Sequence, residues 1–197
     1  MVVIANGIDT ERFYPDRHAR ARVRAMWGIR AEAYLIGLVG RLDPMKGHMT
    51  FVRAAAVLMT QRPDVRFVCV GDGPELYQRR LVALTEELGL KDRLHWVPAS
   101  ENIASLYNAF DIATSASYYG EGFSNAIGEA MACGIPVACS NLSSMPEIAG
   151  NAGVLFDPQK EDAISDALRT ILCDTATRKT CIDRGIERAA QFTWRKT

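Results

Sequence analysis

Two pairs of charged residues are spaced as if to hold a ligand. "GRLDPMKG", Gly40 to Gly47, places Arg41 and Lys46 on one short loop with a glycine at each end. "GEGFSNAIGEAMACG", Gly120 to Gly134, places Glu121 and Glu129 on either side of a stretch that turns from loop into helix. Two cations that close repel unless an anion lies between them or both point into water. A diphosphate satisfies both, with Arg41 forking two oxygens, Lys46 acting as a point charge and the glycines letting the backbone approach. The competing reading is an exposed polar turn, and the loop by itself leaves the two open.

The acids pose the same choice. Ser124 can cap a helix running from Asn125 to about Cys133, closed by Gly134 and Pro136, with Ile127, Ala130 and Met131 as its buried stripe. Glu129 then faces away from Ile127. Helical side chains lean towards the N-terminus, so Glu129 reaches back to the loop carrying Glu121. A carboxylate there accepts two hydrogen bonds from a ribose diol, Glu121 can hold sugar hydroxyls, and the free amides at the helix start favour an anion. The alternative is a solvated Glu129 and a Glu121 that only complements the helix dipole. These residues alone keep both readings open.

Elements must carry these loops to one place. Strands are expected at 34–40, 66–71, 94–98, 111–116, 136–140 and 153–157, with helical stretches beginning near Gly47, Pro74, Asn102, Asn125 and Ser144 and helix after helix from Glu161. The first two strands are nearly continuously apolar, which suits strands covered on both faces. The alternation predicts an α/β fold, a doubly wound, mostly parallel six-stranded Rossmann-like sheet, whose ligands bind at the carboxyl ends of the strands. Residues 3–15 read as a linker, and the chain's start and end read as the edges of a piece of something larger.

Other candidates are weaker. "VGDGPEL" (70–76) has a lone G-x-G, but a dinucleotide fingerprint needs glycine where Leu76 stands, so a structural turn with Pro74 opening the next helix is the better reading. No phosphate-cradling G-x-x-x-x-G-K-[ST] loop occurs. Ser100 suits a helix cap, His95 a packed strand position, and His18 and His48 lie in helix-like segments with no special role. Three scattered histidines and five scattered cysteines make no metal-ligand spacing, and the cysteines read as mostly buried free thiols. Lys plus Arg equals Asp plus Glu, so no overall field attracts nucleic acid or an anionic membrane. No apolar run approaches the ~20 residues of a membrane span, and the N-terminus lacks signal-peptide character, so a soluble, cytoplasmic protein is expected.

Taken together in order, "NGID" with "RFYP" (6–15), "GRLDPMKG", "GDGP", "EGFSNAIGEAMACGIPV" and "GNAGVLFDP" (150–158) resemble the C-terminal domain of retaining, GT-B-fold group 1 glycosyltransferases over nearly the whole chain. The resemblance implies that Arg41 and Lys46 bind the donor diphosphate and stabilise it as the leaving group. It implies that Glu121 holds the transferred sugar and Glu129 the ribose. The backbone of Phe123, Ser124, Asn125 and Ala126 would hold diphosphate and sugar, Gly40 would line the donor site, and the base would be read by backbone near Trp96, Val97 and Pro98. No metal and no cofactor are implied, and the donor is a nucleotide-diphosphate sugar, a UDP-sugar by default. The remaining partners would be an acceptor glycan, lipid or small molecule and the protein's own N-terminal domain, through which the whole protein could sit at a membrane surface. Residues 1–15 would be the interdomain linker, 16–190 the donor domain and 191–197 the start of a truncated crossover helix, leaving this chain alone inactive. Ala5 departs from the proline frequent before "NG". Rival readings are a non-catalytic binding module and a GT-B sugar-nucleotide epimerase or phosphorylase.

Overall fold

The computed structural model describes residues 6–194. The apolar runs form six strands: β1 Tyr34–Val39, β2 Val65–Val70, β3 Leu94–Val97, β4 Ile112–Ser115, β5 Val137–Ser140 and β6 Gly153–Phe156. They make one sheet in the order β3-β2-β1-β4-β5-β6, and each neighbouring pair is parallel. The order reverses between β1 and β4, which is where a doubly wound sheet opens a crevice beyond its strand ends.

Parallel neighbours require crossovers, and helices supply them: α2 His48–Gln61, α3 Glu75–Glu87, α4 Ile103–Ala109, α5 Asn125–Ala132 and α6 Met145–Ala149, while α7 Glu161–Cys173 and α8 Thr175–Ala189 follow the last strand. Successive strand residues feed opposite cores. Leu35 and Val68 join Phe110, Ile127, Met131 and Ile148 on one face. Ile36, Phe67 and Cys69 join Phe51, Leu58, Leu84 and Leu168 on the other. Double coverage is why β1 and β2 are apolar at nearly every position.

One helix, α1, Arg17–Met26, shows in the sequence only as a helix-like segment around His18, without bounds. Its apolar stripe is only Ala19 and Val23, and the rest of its inner face is arginine. Arg24 is buried and donates to the carbonyls of Ala109 (3.1 Å) and Arg30 (2.8 Å) and to Asp111 Oδ2 (3.1 Å). Arg20 takes Asp111 Oδ1 at 2.7 Å, and Asp111 Oδ2 also accepts from the Leu35 amide. A helix docked by guanidinium groups leaves little hydrophobic period to find. The available signal was its cap: Asp16 Oδ1 accepts from the amides of His18 and Ala19 at 2.8 and 3.0 Å.

The segment expected as a linker packs along the domain over its described part. Ile8 and Phe13 are core residues, and the Ile8 amide donates to the Phe192 carbonyl. Residues 191–194 include Trp194, which lies against Gly7. The rest of the expected linker (1–5) and of the expected crossover helix (195–197) lies outside the described residues. Among the described residues, no helix is long and apolar enough to cross a membrane.

Candidate functional site

The 40–47 loop leaves the carboxyl end of β1 and closes through a 3-10 turn, Pro44–Lys46, capped by Asp43, whose Oδ1 accepts the Met45 amide at 3.0 Å. Gly47 follows in the left-handed region, φ 70°, and a Cβ there would overlap the Ala116 carbonyl oxygen. Only glycine lets this loop sit that close to the segment leaving β4. The two segments are then zipped together. The Tyr118 amide donates to the Met45 carbonyl at 2.8 Å, and the Tyr118 phenol meets the Thr50 hydroxyl.

This zipper brings Lys46 to Glu121 across 75 positions of sequence. Lys46 Nζ donates to Glu121 Oε1, with the two side chains 23% and 9% exposed. The buried Ser117 hydroxyl donates to the same Oε1 at 3.0 Å. Arg41 points outward, 65% exposed, and pairs with Asp43 Oδ2 at 3.2 Å. The repulsion between Arg41 and Lys46, which the sequence reading relieves by an intervening anion or by solvent, is met here by pairing. Each has its own carboxylate, one from within the loop and one from the facing loop, because isolated cations side by side are costlier than paired ones.

Helix α5 starts at Asn125, with Ser124 in the cap position. The expected hydroxyl cap is absent: Ser124 is buried at 4% exposure and its side chain makes no capping bond. The amides of Phe123, Ser124, Asn125 and Ala126 accordingly have no acceptor among the described residues. That leaves the positive end of the helix open to an anion. The Phe123 ring is turned edge-on to Phe192, centroids 5.3 Å apart, and anchors the loop while its amide stays free. Asn125 is exposed, its Oδ1 accepting from Asn6 Nδ2 at 3.2 Å, and Ala126 is half-buried. Ile127, Ala130 and Met131 form the buried stripe as expected.

Glu129 is half-buried. Burial pushes its carboxyl above the usual range, against the opposing pull of Tyr107 and Arg12. The buried Tyr107 hydroxyl is close enough to pull it down but reaches no hydrogen bond of normal geometry. Burial first, and the neighbouring carboxylate second, push the phenol up in turn. Among the described residues no hydrogen bond or ion pair joins Glu129 to the Glu121 loop.

An open cavity of about 410 Å³ lies beyond the ends of β1 and β2, lined by Gly40, Arg41, Gly71, Asp72, Ser100 and Ile103 among others. Gly71 carries the G-x-G sequence because a Cβ there would overlap the Gly40 carbonyl, so its glycine serves loop packing. Asp72 ties the walls together, its carbonyl accepting from the Leu42 amide (2.8 Å) and its Oδ2 from the Ala99 amide (3.1 Å). Residues 96–98 stand further back. The Val97 carbonyl accepts from Gly71 N–H at 2.9 Å, and Trp96 Nε1 donates to Thr85 Oγ1 at 3.3 Å. The wall of the cavity on that side is Ala99, Ser100 and Ile103. Ser100 Oγ accepts the Asn102 amide at 3.2 Å, just ahead of α4, whose cap residue is Asn102.

The sequence reading missed Ser117, Asp43 and Arg12. Asp43 was visible as an acid two residues from Arg41, but Ser117 and Arg12 gain meaning only through contacts made by the fold. His48 is fully buried with both ring nitrogens lacking a hydrogen bond of normal geometry. Burial lowers its pKa to about 4 despite the nearby Asp43 carbonyl. Among the described residues no group of three or more His, Cys, Asp or Glu is placed to hold a metal ion.

Residues 19–188 match the family model described as glycosyl transferases group 1. A D-inositol 3-phosphate glycosyltransferase of Corynebacterium glutamicum is 33% identical over 99% of this chain and 49% of its own length. The chain spans about half the length of the curated relatives it matches. The crystal structure of Anabaena HepE in complex with UDP-glucose superposes with a TM-score of 0.91 at 27% identity, covering 98% of this chain and 53% of that one. The C-terminal domain of a group 1 family protein, LpcC, from Francisella tularensis superposes with a TM-score of 0.83 at 28% identity, covering 94% of this chain and 97% of that domain.

Proposed function

The chain belongs to the group 1 glycosyltransferases and corresponds to the C-terminal domain of their GT-B fold, and we propose that its cleft holds a nucleoside diphosphate sugar for transfer by the whole protein. The observation that carries this reading is the Lys46–Glu121 pair, set beside the free amides that open α5. A diphosphate drawn to those amides competes with Glu121 for Lys46, and Glu121 is released towards the sugar. The base occupies the cavity lined by Gly40, Arg41, Ser100 and Ile103, and Glu129 holds the ribose diol. The HepE complex with UDP-glucose supports a UDP-sugar as the donor class.

The chemistry follows from where charge develops. The bond between the sugar's anomeric carbon and the diphosphate breaks, and its electron pair goes onto the departing phosphate oxygen. Lys46, Arg41 and the α5 amides stabilise that charge in a site partly shielded from water. The acceptor hydroxyl attacks on the face the phosphate leaves, and its proton passes to the departing phosphate oxygen. Configuration is retained, no base is needed from this chain, and Glu121 acts by hydrogen bonding, without a covalent intermediate. The acceptor is bound by a preceding domain, so this chain alone does not turn over, and the whole protein works in the cytoplasm, at a membrane surface where the acceptor is a lipid.

Calorimetric titration of the chain with UDP, GDP and ADP, up to millimolar, tests the donor site. One nucleotide should bind, and Lys46→Ala and Glu129→Gln should each weaken it. If none binds, or both variants bind as the unaltered chain does, the assignment is wrong. Incubating the whole protein with sugar nucleotides then separates transfer to an acceptor from donor epimerisation and from binding without turnover.

A further inference from the structure

Glu121 receives two contacts on a single carboxylate oxygen, and they differ in kind. Lys46 reaches Oε1 with a long side chain that keeps 23% of its surface exposed. Ser117 donates to the same Oε1 at 3.0 Å from a side chain with no exposure at all. Its hydroxyl lies 3.4 Å from the Ser115 hydroxyl, and the next residue is pinned by the Tyr118 amide bond to the Met45 carbonyl and by the Tyr118–Thr50 contact. Among the described residues Glu121 Oε2 has no hydrogen-bond partner. A lysine on a flexible stem can move to a better anion, whereas a buried serine on a pinned backbone cannot follow it. A carboxylate that lost its lysine with nothing else to hold it would regain its rotamer freedom and have to be ordered again around the sugar.

We propose that Ser117 is the positioning residue for Glu121: its buried hydroxyl keeps hold of Oε1 when Lys46 passes to the donor diphosphate, leaving Oε2 for the hydroxyls of the transferred sugar. The proposal rests on the reading of Glu121 as the sugar-holding acid. It separates two contributions that otherwise look alike. The nucleoside diphosphate is held without Ser117, and the sugar is held through it.

The test compares a nucleotide with its sugar conjugate on the same chain. The 197-residue chain and its Ser117→Ala variant are titrated calorimetrically with UDP and UDP-glucose, and with GDP and GDP-mannose. The bare nucleotide should bind both forms alike, while the affinity of the conjugate relative to its nucleotide falls roughly tenfold in the variant, the scale of one lost hydrogen bond to a charged group. Ser117→Cys, of similar size and a weak donor, should fall between them. It also keeps the comparison available if thermal melts show the alanine variant to be unfolded. Equal weakening of nucleotide and conjugate in the variants, or no change in their ratio, overturns the role of Ser117 alone. Failure of the unaltered chain to bind either pair at millimolar concentration overturns the donor-site reading with it.

Discussion

Replacing Glu129 with glutamine removes a charge that burial penalises while keeping the shape of the side chain. The carboxyl is half-buried beside the buried Tyr107, and burial is the largest influence on it, holding its pKa above the ordinary range against the pull of Tyr107 and Arg12. In the unfolded chain it titrates at about 4.3. Because the folded value is higher, the native state binds the proton more tightly. The stability from this group is fully present below the unfolded pKa and is lost as pH rises through the folded one. At pH 7.5 the ionised Glu129 therefore weakens the fold, and Glu129→Gln relieves that weakness. A half-buried, partly compensated carboxylate makes this gain on the order of 1 kcal/mol, in the range common when a functional group is replaced by a neutral one. For a domain of this size that is a rise in Tm of about 2–4 °C. Thermal melts of both forms at pH 7.5 and pH 4 provide the assay, with UDP titration alongside. The gain should shrink towards zero at pH 4 while nucleotide affinity is lost at pH 7.5. A variant that melts lower than the parent at pH 7.5 would refute the reasoning, because the carboxylate would then be a stabilising partner of Arg12.

Lys46→Met leaves Glu121, 9% exposed, without its cation; a loss of about 1–2 kcal/mol is expected from denaturant melts, discounted for the partial exposure of the lysine. Adding Glu121→Gln should recover part of it, and additivity of the two changes would show that the pair is not coupled. Arg24→Met should destabilise by about 3 kcal/mol, since Asp111 loses one of its two guanidinium partners and the carbonyls of Ala109, Arg30 and Ala33, the first of these bonds buried and the other two part-buried, each lose the Arg24 bond; a cost under about 1 kcal/mol would refute its role in docking α1. His48 is held to a pKa of about 4 chiefly by burial, so its contribution is present above the unfolded value of about 6.5 and lost as pH falls through the folded one. His48→Leu should flatten the acid limb of the stability profile across that window, by up to about 1.4 kcal/mol per pH unit; an unchanged slope would show that this histidine titrates normally.

Local chemistry was legible wherever it was repeated along the chain. The strands show because both faces of the sheet are covered, which forces apolar residues at consecutive positions such as Leu35 and Ile36. Helix α5 shows because Ile127, Ala130 and Met131 keep the helical period and Gly134 ends it at φ 70°. Helix α1 shows only as a helix-like segment around His18, without bounds, because Arg20 and Arg24 do the docking that apolar side chains do elsewhere. A buried arginine looks the same in sequence as an exposed one. Ser124 misled for a related reason: its type suits a cap, but its burial turns the hydroxyl from that task.

The sequence by itself determined the sheet, its doubly wound class and the four charged positions, because strand pattern, glycine turns and residue spacing are properties of short segments. Which charge meets which was decided only by the tertiary structure. Lys46 pairs with Glu121 because Gly47 seats one loop on the end of β4 and Tyr118 fastens the other to Met45, joining residues 75 apart. Arg41 pairs with Asp43, and Glu129 lies within electrostatic reach of Tyr107 and Arg12. Electrostatic energy falls with separation in space and with exposure, and neither quantity is written in the order of residues along a chain.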